Sequence, residues 1–208
     1  MDSSNVNPPI GPDLIEAYGS LATSLISDIL DRQTGLFGLV PYHSGKPMVG
    51  RALTVKTREG DNRTIHEALQ IAAEGDVIVV DGAGMLSRAL IGEIIVEKAL
   101  AIGVAGFVID GAIRDVETIR TMEMPCYARG VSHLGPYKTG PGTINRPIAC
   151  GGSVVMPGDL MVGDADGVIA LSEITARRIL DEVRAKEADE TAKITAIRSN
   201  AAGYRARS

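Results

Sequence analysis

An α/β fold, a single domain built on parallel strands, is what this sequence predicts, and three observations predict it. The segments VIVVD (77–81) and VAGFVID (104–110) are unbroken apolar runs, the pattern of parallel strands buried on both faces. Between them EIIVEKALAIG (93–103) has helical spacing and completes a strand–helix–strand unit. The chain closes with EITARRILDEVRAKEADETAKITAIRSN (173–200), a long amphipathic helix with a strongly charged tail. A chain of 208 residues can bury one full core, and no repeat or composition shift marks a second domain.

The elements follow in order. Residues 1–11 are polar and Pro-rich and read as a loose arm; residues 12–208 form the domain. Pro12 suits a first helical turn, and Leu14–Arg32 has helical period throughout. Gly35–Pro47 is a turn-rich connector, and Met48–Thr57 a strand. Asp61 or Asn62 caps a helix over Arg63–Ala73, which Gly75-Asp76 ends before the next strand. The loop Gly82–Gly92 opens the helix at Glu93, and the following strand ends at Asp110. A short helix, Val116–Met122, leads to a strand over Pro125–Gly130. Ser132–Cys150 reads as an extended crossing segment, and Gly151–Ser172 as short strands separated by turns.

Bulk chemistry removes several function classes. The net charge of −5 makes a poor partner for a phosphate backbone, so no nucleic acid is expected. Aromatics are 3% and Trp is absent, so the core is aliphatic. Two cysteines without paired spacing point to a reducing compartment and no zinc cage. The N-terminus lacks a signal core, and the longest apolar run, Ala99–Ile109, is too short to span a bilayer. A cytoplasmic protein without a membrane partner is the expectation.

Several motifs reduce to turns. Gly82-x-Gly84 follows a strand, but Ser87 stands where a dinucleotide fingerprint needs a third Gly or Ala. GDADG (163–167) lacks the spacing and terminal Glu of a calcium loop and reads as a hairpin turn. His43, His66 and His133 have no metal-ligand spacing, and His66 reads as a surface or packing residue of its helix. Lys56 and Lys98 read as solvated lysines rather than Schiff-base formers.

The segment from Gly92 to Asp115 is different. Gly92-Glu93-Ile94-Ile95 opens a helix, whose free N–H groups suit a carboxylate. Arg114 can hold a carboxylate or keto oxygen through two parallel hydrogen bonds. Asp115 is a hard oxygen ligand suited to Mg²⁺ or Mn²⁺, and Glu93 could hold the cation's waters. Neighbours on a regular helix or strand do not face each other, so a shared ligand explains Arg114-Asp115 better than a mutual salt bridge. The competing reading has Asp115 cap the following helix, with Glu117 as first-turn charge. Both readings stand on the residues alone.

Glu93, twenty intervening residues, then Arg114-Asp115 resembles the acidic-x20-Arg-Asp motif of the class II pyruvate aldolases. These are the 4-hydroxy-4-methyl-2-oxoglutarate aldolases, in one family with the regulator of ribonuclease activity A and with proteins once labelled dimethylmenaquinone methyltransferases. TSLISDILDR, MVGRALTV, GDVIVVD, GEII, GVAGFVIDGAIRD, ARGVSHLGPYK, GPGTINRPIACGG and PGDLMVGDADGV resemble its blocks in order, over roughly residues 20 to 190.

The resemblance implies a compact swivelling β/β/α fold, assembled as a homotrimer or dimer of trimers with the site between neighbouring subunits. It implies substrate binding by Gly92, Glu93, Ile94, Ile95 and Arg114, with Arg114, Glu93 and Asp115 as the catalytic set. Asp115 would ligate a divalent metal (Mg²⁺, Mn²⁺ or another) directly. Glu93, in a place often held by Asp, would act through water. So would a glutamate of the C-terminal helix from a neighbouring subunit, matched best by Glu187 and next by Glu190. The implied activity is metal-dependent cleavage of 4-hydroxy-2-keto acids to pyruvate. Decarboxylation of oxaloacetate passes through the same pyruvate enolate and is implied too. The general base would be a water steered by Glu93. The alternative is a non-catalytic protein that binds and regulates a ribonuclease. Such members can lack the motif's acidic residue, which this chain keeps as Glu93. No Gly-rich loop of an S-adenosylmethionine site supports methyl transfer.

Overall fold

The helical period of Leu14–Arg32 resolves into two helices rather than one in the computed structural model, which describes residues 10–200. α1 (Pro12–Tyr18) and α2 (Thr23–Ile29) part at Gly19-Ser20, where a glycine weakens the helix. The break lets Tyr18 and Ile26, both fully buried, pack into one cluster with Ile179 and Val183. The first nine residues of the expected arm lie outside the described residues. Ile10 is buried in that same cluster.

β1 (Val40–Pro41) lies within the expected connector, and β2 (Met48–Thr57) matches its apolar run. α3 (Arg63–Ala68) is shorter than expected. Its last turn tightens, Gln70 and Ile71 N–H reaching back three residues to Glu67 and Ala68 carbonyls (3.1 Å each). β3 (Asp76–Asp81) leads through the Gly82–Gly84 turn to β4 (Ala89–Ile91), a strand that the expected loop concealed. α4 (Glu93–Ile102) buries Ile95, Val96 and Ala99 and stops at Gly103, whose φ of 83° is the left-handed cap glycine provides. β5 (Gly106–Ile113) runs three residues beyond the expected end at Asp110, because Ala112 and Ile113 pair with Ala89 and Ile91. α5 (Val116–Thr121) and β6 (Cys126–Val131) follow as expected.

The crossing segment contains β7 (Gly142–Ile144) and β8 (Ile148–Cys150). β9 (Ser153–Val155), β10 (Leu160–Gly163) and β11 (Val168–Leu171) precede α6 (Glu173–Ser199). Ser172 Oγ caps α6 by accepting from Thr175 N–H (3.2 Å). With 27 residues α6 extends roughly 40 Å. Its inward Ala176, Ile179 and Val183 are buried, while Ile194 and Ile197 are exposed. Among the described residues no helix is long and apolar enough to cross a membrane.

The sheet runs β1-β6-β5-β3-β2-β10-β11, with β2, β3, β5 and β6 parallel. Successive residues of β3 fill opposite layers. Ile78 and Val80 pack with α3, α4 and α5; Val77 and Val79 pack with the β8–β9 hairpin. Both faces are therefore covered, as unbroken apolar strands require. The third cluster joins α1 and α2 to α6 and to β10–β11. The result is the mixed α/β domain with parallel strands and a long C-terminal helix that the sequence predicts.

Candidate functional site

β4 and β5 pair at the carboxyl edge of the sheet and deliver their exits side by side. β4 runs into Gly92 and α4; β5 runs into Arg114, Asp115 and α5. Arg114 N–H donates to Ile91 O (3.0 Å), fixing the two exits together. Gly92 lies in the crevice between them with extended backbone. A Cβ there would collide with Asp115 Oδ2 and approach Arg114 Cγ to 2.9 Å. Glycine is needed at this position for space.

Asp115 adopts the left-handed conformation (φ 58°, ψ 35°), which Asp tolerates better than most residues. It occupies the N-cap position of α5, yet its side chain makes no bond to that helix. Oδ2 instead accepts from Glu93 N–H, the first amide of α4, at 3.1 Å. The capping of α5 is thus not what holds this side chain. The same left-handed turn corrects a second expectation. Arg114 Nε stands 3.6 Å from Asp115 Oδ2, because the turn swings the aspartate back across its neighbour. Both side chains are about two-fifths exposed, so their mutual attraction is weak and leaves both heads open to a ligand.

Among the four residues at the start of α4, roles divide. Ile95 is buried in the core and its N–H turns back to Gly92 O (3.0 Å). Glu93 N–H serves Asp115. Ile94 N–H has no acceptor among the described residues. The Glu93 and Ile94 side chains are exposed, and of the two Ile94 lines the neighbouring cleft.

A cleft of about 100 Å³ opens here, lined by Asn62, His66, Gly92, Arg114, Asp115 and Lys138 among others. Asn62, His66 and Lys138 are residues the sequence did not single out as functional. Asn62 is buried; Nδ2 donates to Leu90 O (3.0 Å), while Oδ1 is buried with no hydrogen-bond partner. His66 is half-buried. Burial lowers its pKa first, and the positive Lys98 and Lys138 lower it further. The only available signal was the Asn62–His66 spacing of one helical turn. Lys138 arrives on a loop 72 or more positions away, beyond the reach of any periodicity.

The other expected residues lie elsewhere or serve the fold. Glu187 lines a separate groove with Asp13, Glu16 and Arg184, so a single chain does not bring it to Asp115. Glu190 accepts an ion pair from Lys186 Nζ (3.2 Å). Asp164 of the GDADG turn accepts from Thr23 N–H (2.8 Å) and Oγ (2.7 Å), tying α2 to the β10–β11 hairpin. Gly82 and Gly84 N–H both donate to Asp110 O (3.1 Å), a tight turn as expected. Lys56 is exposed beside Asp81 (3.3 Å). A larger hollow of about 220 Å³ between α2 and the β10–β11 turn brings Thr23, Ser27 and Asp166 together but no cation–acid pair. Charged groups of both signs converge on the smaller cleft at β4 and β5.

The Asp115 carboxylate is an oxygen donor of the kind a hard divalent cation takes. The cleft lining offers this carboxylate and the unpartnered Asn62 Oδ1 beside the His66 ring, and no cluster of three His, Cys, Asp or Glu that could hold a metal occurs among the described residues. Mg²⁺ is commonly held by one or two carboxylates, with water and substrate completing its shell.

Comparison with known proteins shows the family. The RraA-like family, described as Aldolase/RraA, matches residues 23–170. The chain belongs to the Aldolase/RraA family. One member, from Halalkalibacterium halodurans, is provisionally named a 4-hydroxy-4-methyl-2-oxoglutarate aldolase. It is 40% identical over 195 residues, 93% of each chain. An uncharacterized protein from Pseudomonas syringae pv. tomato superposes with TM-score 0.85 at 29% identity, covering 96% of this chain and 94% of that one. The RNA-processing inhibitor RraA from Thermus thermophilis superposes with TM-score 0.66 at 28% identity, covering 72% and 92%. The family thus spans proteins named for aldol cleavage and for inhibition of RNA processing.

Proposed function

We propose that this chain is a divalent-metal-dependent lyase that cleaves 4-hydroxy-2-keto acids, of the 4-hydroxy-4-methyl-2-oxoglutarate type, to pyruvate. It would decarboxylate oxaloacetate at the same site. The observation that carries this reading is the convergence of Arg114, Asp115 and the α4 N-terminus across Gly92, where a Cβ would press on both side chains. The provisional names of its relatives support it.

Arg114 would bind the 2-keto acid, its planar fork matching a carboxylate or the carboxylate–ketone edge. Ile94 N–H offers a further donor to the substrate carboxylate at the positive end of α4. When bound at Asp115, the cation would supply a Lewis acid for the substrate's oxygens. Breaking the C3–C4 bond leaves negative charge on the pyruvyl fragment, and Arg114 stands where it can stabilise it. One preorganised contact of this kind contributes ~3–4 kcal/mol, about 10²–10³ in rate. Glu93, exposed at the start of α4, would orient the water that takes the 4-hydroxyl proton. His66 and Lys138 line the same cleft and would meet the substrate beyond its pyruvyl end.

The reading includes a homotrimer or dimer of trimers in which a neighbouring copy's Glu187 completes the site through water. The exposed Ile194 and Ile197 on α6 support an assembly through this helix. Light scattering on the purified protein tests it, and a monomer would remove it. The activity is tested by pyruvate release from oxaloacetate with Mg²⁺ and with EDTA. Similarity to an RNA-processing inhibitor favours a second reading, a protein-binding regulator of a ribonuclease. Absence of turnover from folded protein with Mg²⁺ and Mn²⁺ would favour that one.

A further inference from the structure

We propose that Asp61 is a positioning residue. Its buried carboxylate fixes the wall of the cleft that Arg114 and Asp115 do not supply, and so sets how tightly the distal end of the substrate is held. The proposal rests on the 2-keto acid reading above.

A buried carboxylate is costly unless hydrogen bonds replace its water. Asp61 is 0% exposed. Oδ1 accepts from Arg63 N–H (2.9 Å), and Oδ2 from Thr139 N–H (2.7 Å), Gly140 N–H (2.9 Å) and Thr139 Oγ (3.1 Å). Burial pushes its pKa up, but these donors outweigh burial and hold the carboxyl below its usual range. All four are neutral groups. The charge therefore gathers backbone from two segments 78 positions apart.

Each segment feeds the cleft. One opens α3, which presents Asn62 and His66; the other carries Pro136 and Lys138. Their backbones are stitched together beside the carboxylate. Tyr137 N–H donates to Gly60 O (2.8 Å), and Asn62 N–H to Tyr137 O (3.0 Å). Arg88 steadies the same loop, its guanidinium 4.2 Å from the Tyr137 ring centre and Nη1 donating to Gly135 O (2.7 Å). Arg114 and Asp115 hang from β5 and use none of these bonds. The bonds that tie this wall to β4 and β5 (Asn62 Nδ2 to Leu90 O at 3.0 Å, Ala89 N–H to Leu134 O at 2.8 Å and Ser132 N–H to Ile113 O at 2.9 Å) do not involve Asp61, so losing its charge loosens the wall while Arg114 and Asp115 keep their own anchors.

The test compares two substrates in the Asp61→Asn variant. Pyruvate, probed by deuterium exchange at its methyl group, occupies only the Arg114–Asp115 end. 4-Hydroxy-4-methyl-2-oxoglutarate reaches the other wall. The expected result is a KM for the longer substrate raised roughly tenfold, the scale of one lost charge-assisted hydrogen bond, with pyruvate exchange near wild type. Thr139→Val, which removes a single donor, moves the same KM by a smaller factor. Equal losses in both assays, or an unchanged KM, would overturn the positioning role. Should the wild-type protein show neither activity, the aldolase reading falls, and amide hydrogen exchange decides the proposal. Faster exchange across residues 136–140 in Asp61→Asn, with α4 unchanged, supports it; unchanged protection overturns it.

Discussion

Replacing Gly92 by alanine adds one methyl group at the most crowded point of the site. The backbone there is extended (φ −155°, ψ −169°), so alanine brings no conformational strain. Removing a glycine even stabilises by about 0.4–1 kcal/mol through the unfolded chain. The methyl would meet Asp115 Oδ2, Arg114 Cγ at 2.9 Å and Arg114 Nε at 3.2 Å. These are side-chain atoms that can swing aside, so the packing cost stays near the low end of the ~1–3 kcal/mol typical of overpacking. The two effects nearly cancel, and net stability should change by about 1 kcal/mol or less. Function should not escape so lightly. Moving both groups by about 1 Å costs on the order of 10²-fold in rate. Urea unfolding and kcat/KM for pyruvate release, measured on the same preparation, separate the two quantities. A Gly92→Ala protein as active as wild type would refute the claim that this glycine sets the spacing of the site. A protein that unfolds would show that the contact is structural instead.

Three further outcomes follow from the same geometry. Asp115→Asn keeps a residue that tolerates the left-handed turn, so the circular dichroism spectrum should be unchanged while Mg²⁺-dependent turnover falls by about 10² or more; near-native turnover would remove the ligand role. His66 has a folded-state pKa below its ordinary 6.5, so the unfolded chain binds the extra proton. Stability should therefore be lost as pH falls below about 6.5 toward the lowered value, and His66→Gln should lack this part of the slope in urea titrations. An identical slope in the variant would contradict the assignment. Tyr18→Phe leaves the Ala176 carbonyl without the 2.8 Å bond that docks α1 on α6, and should cost ~1–3 kcal/mol in urea unfolding; no loss would show that water replaces it.

Much of the frame was legible because it rests on local pattern. β2, β3 and β6 lie where the apolar runs place them, and α4 between the glycines that bound it. Legibility failed where partners decide the structure. β4 and the end of β5 are strands only because they pair with each other. The helical period of Leu14–Arg32 could not show that α1 and α2 each turn a face to α6. For the site, residue types announced Glu93, Arg114 and Asp115, whereas the left-handed turn at Asp115 set their actual contact. Asn62, His66 and Lys138 stayed hidden because a buried carboxylate far from either end of the motif assembles them. A buried polar network writes no period into a sequence.

The measurement that bears most directly on the central claim is pyruvate release from oxaloacetate by the wild-type and Arg114→Ala proteins, each with Mg²⁺ and with EDTA. Turnover should require the metal and fall by about 10²–10³ without the guanidinium, in a protein that remains folded. Turnover that survives EDTA or the loss of Arg114, or none from folded wild-type protein with Mg²⁺ or Mn²⁺, would contradict it.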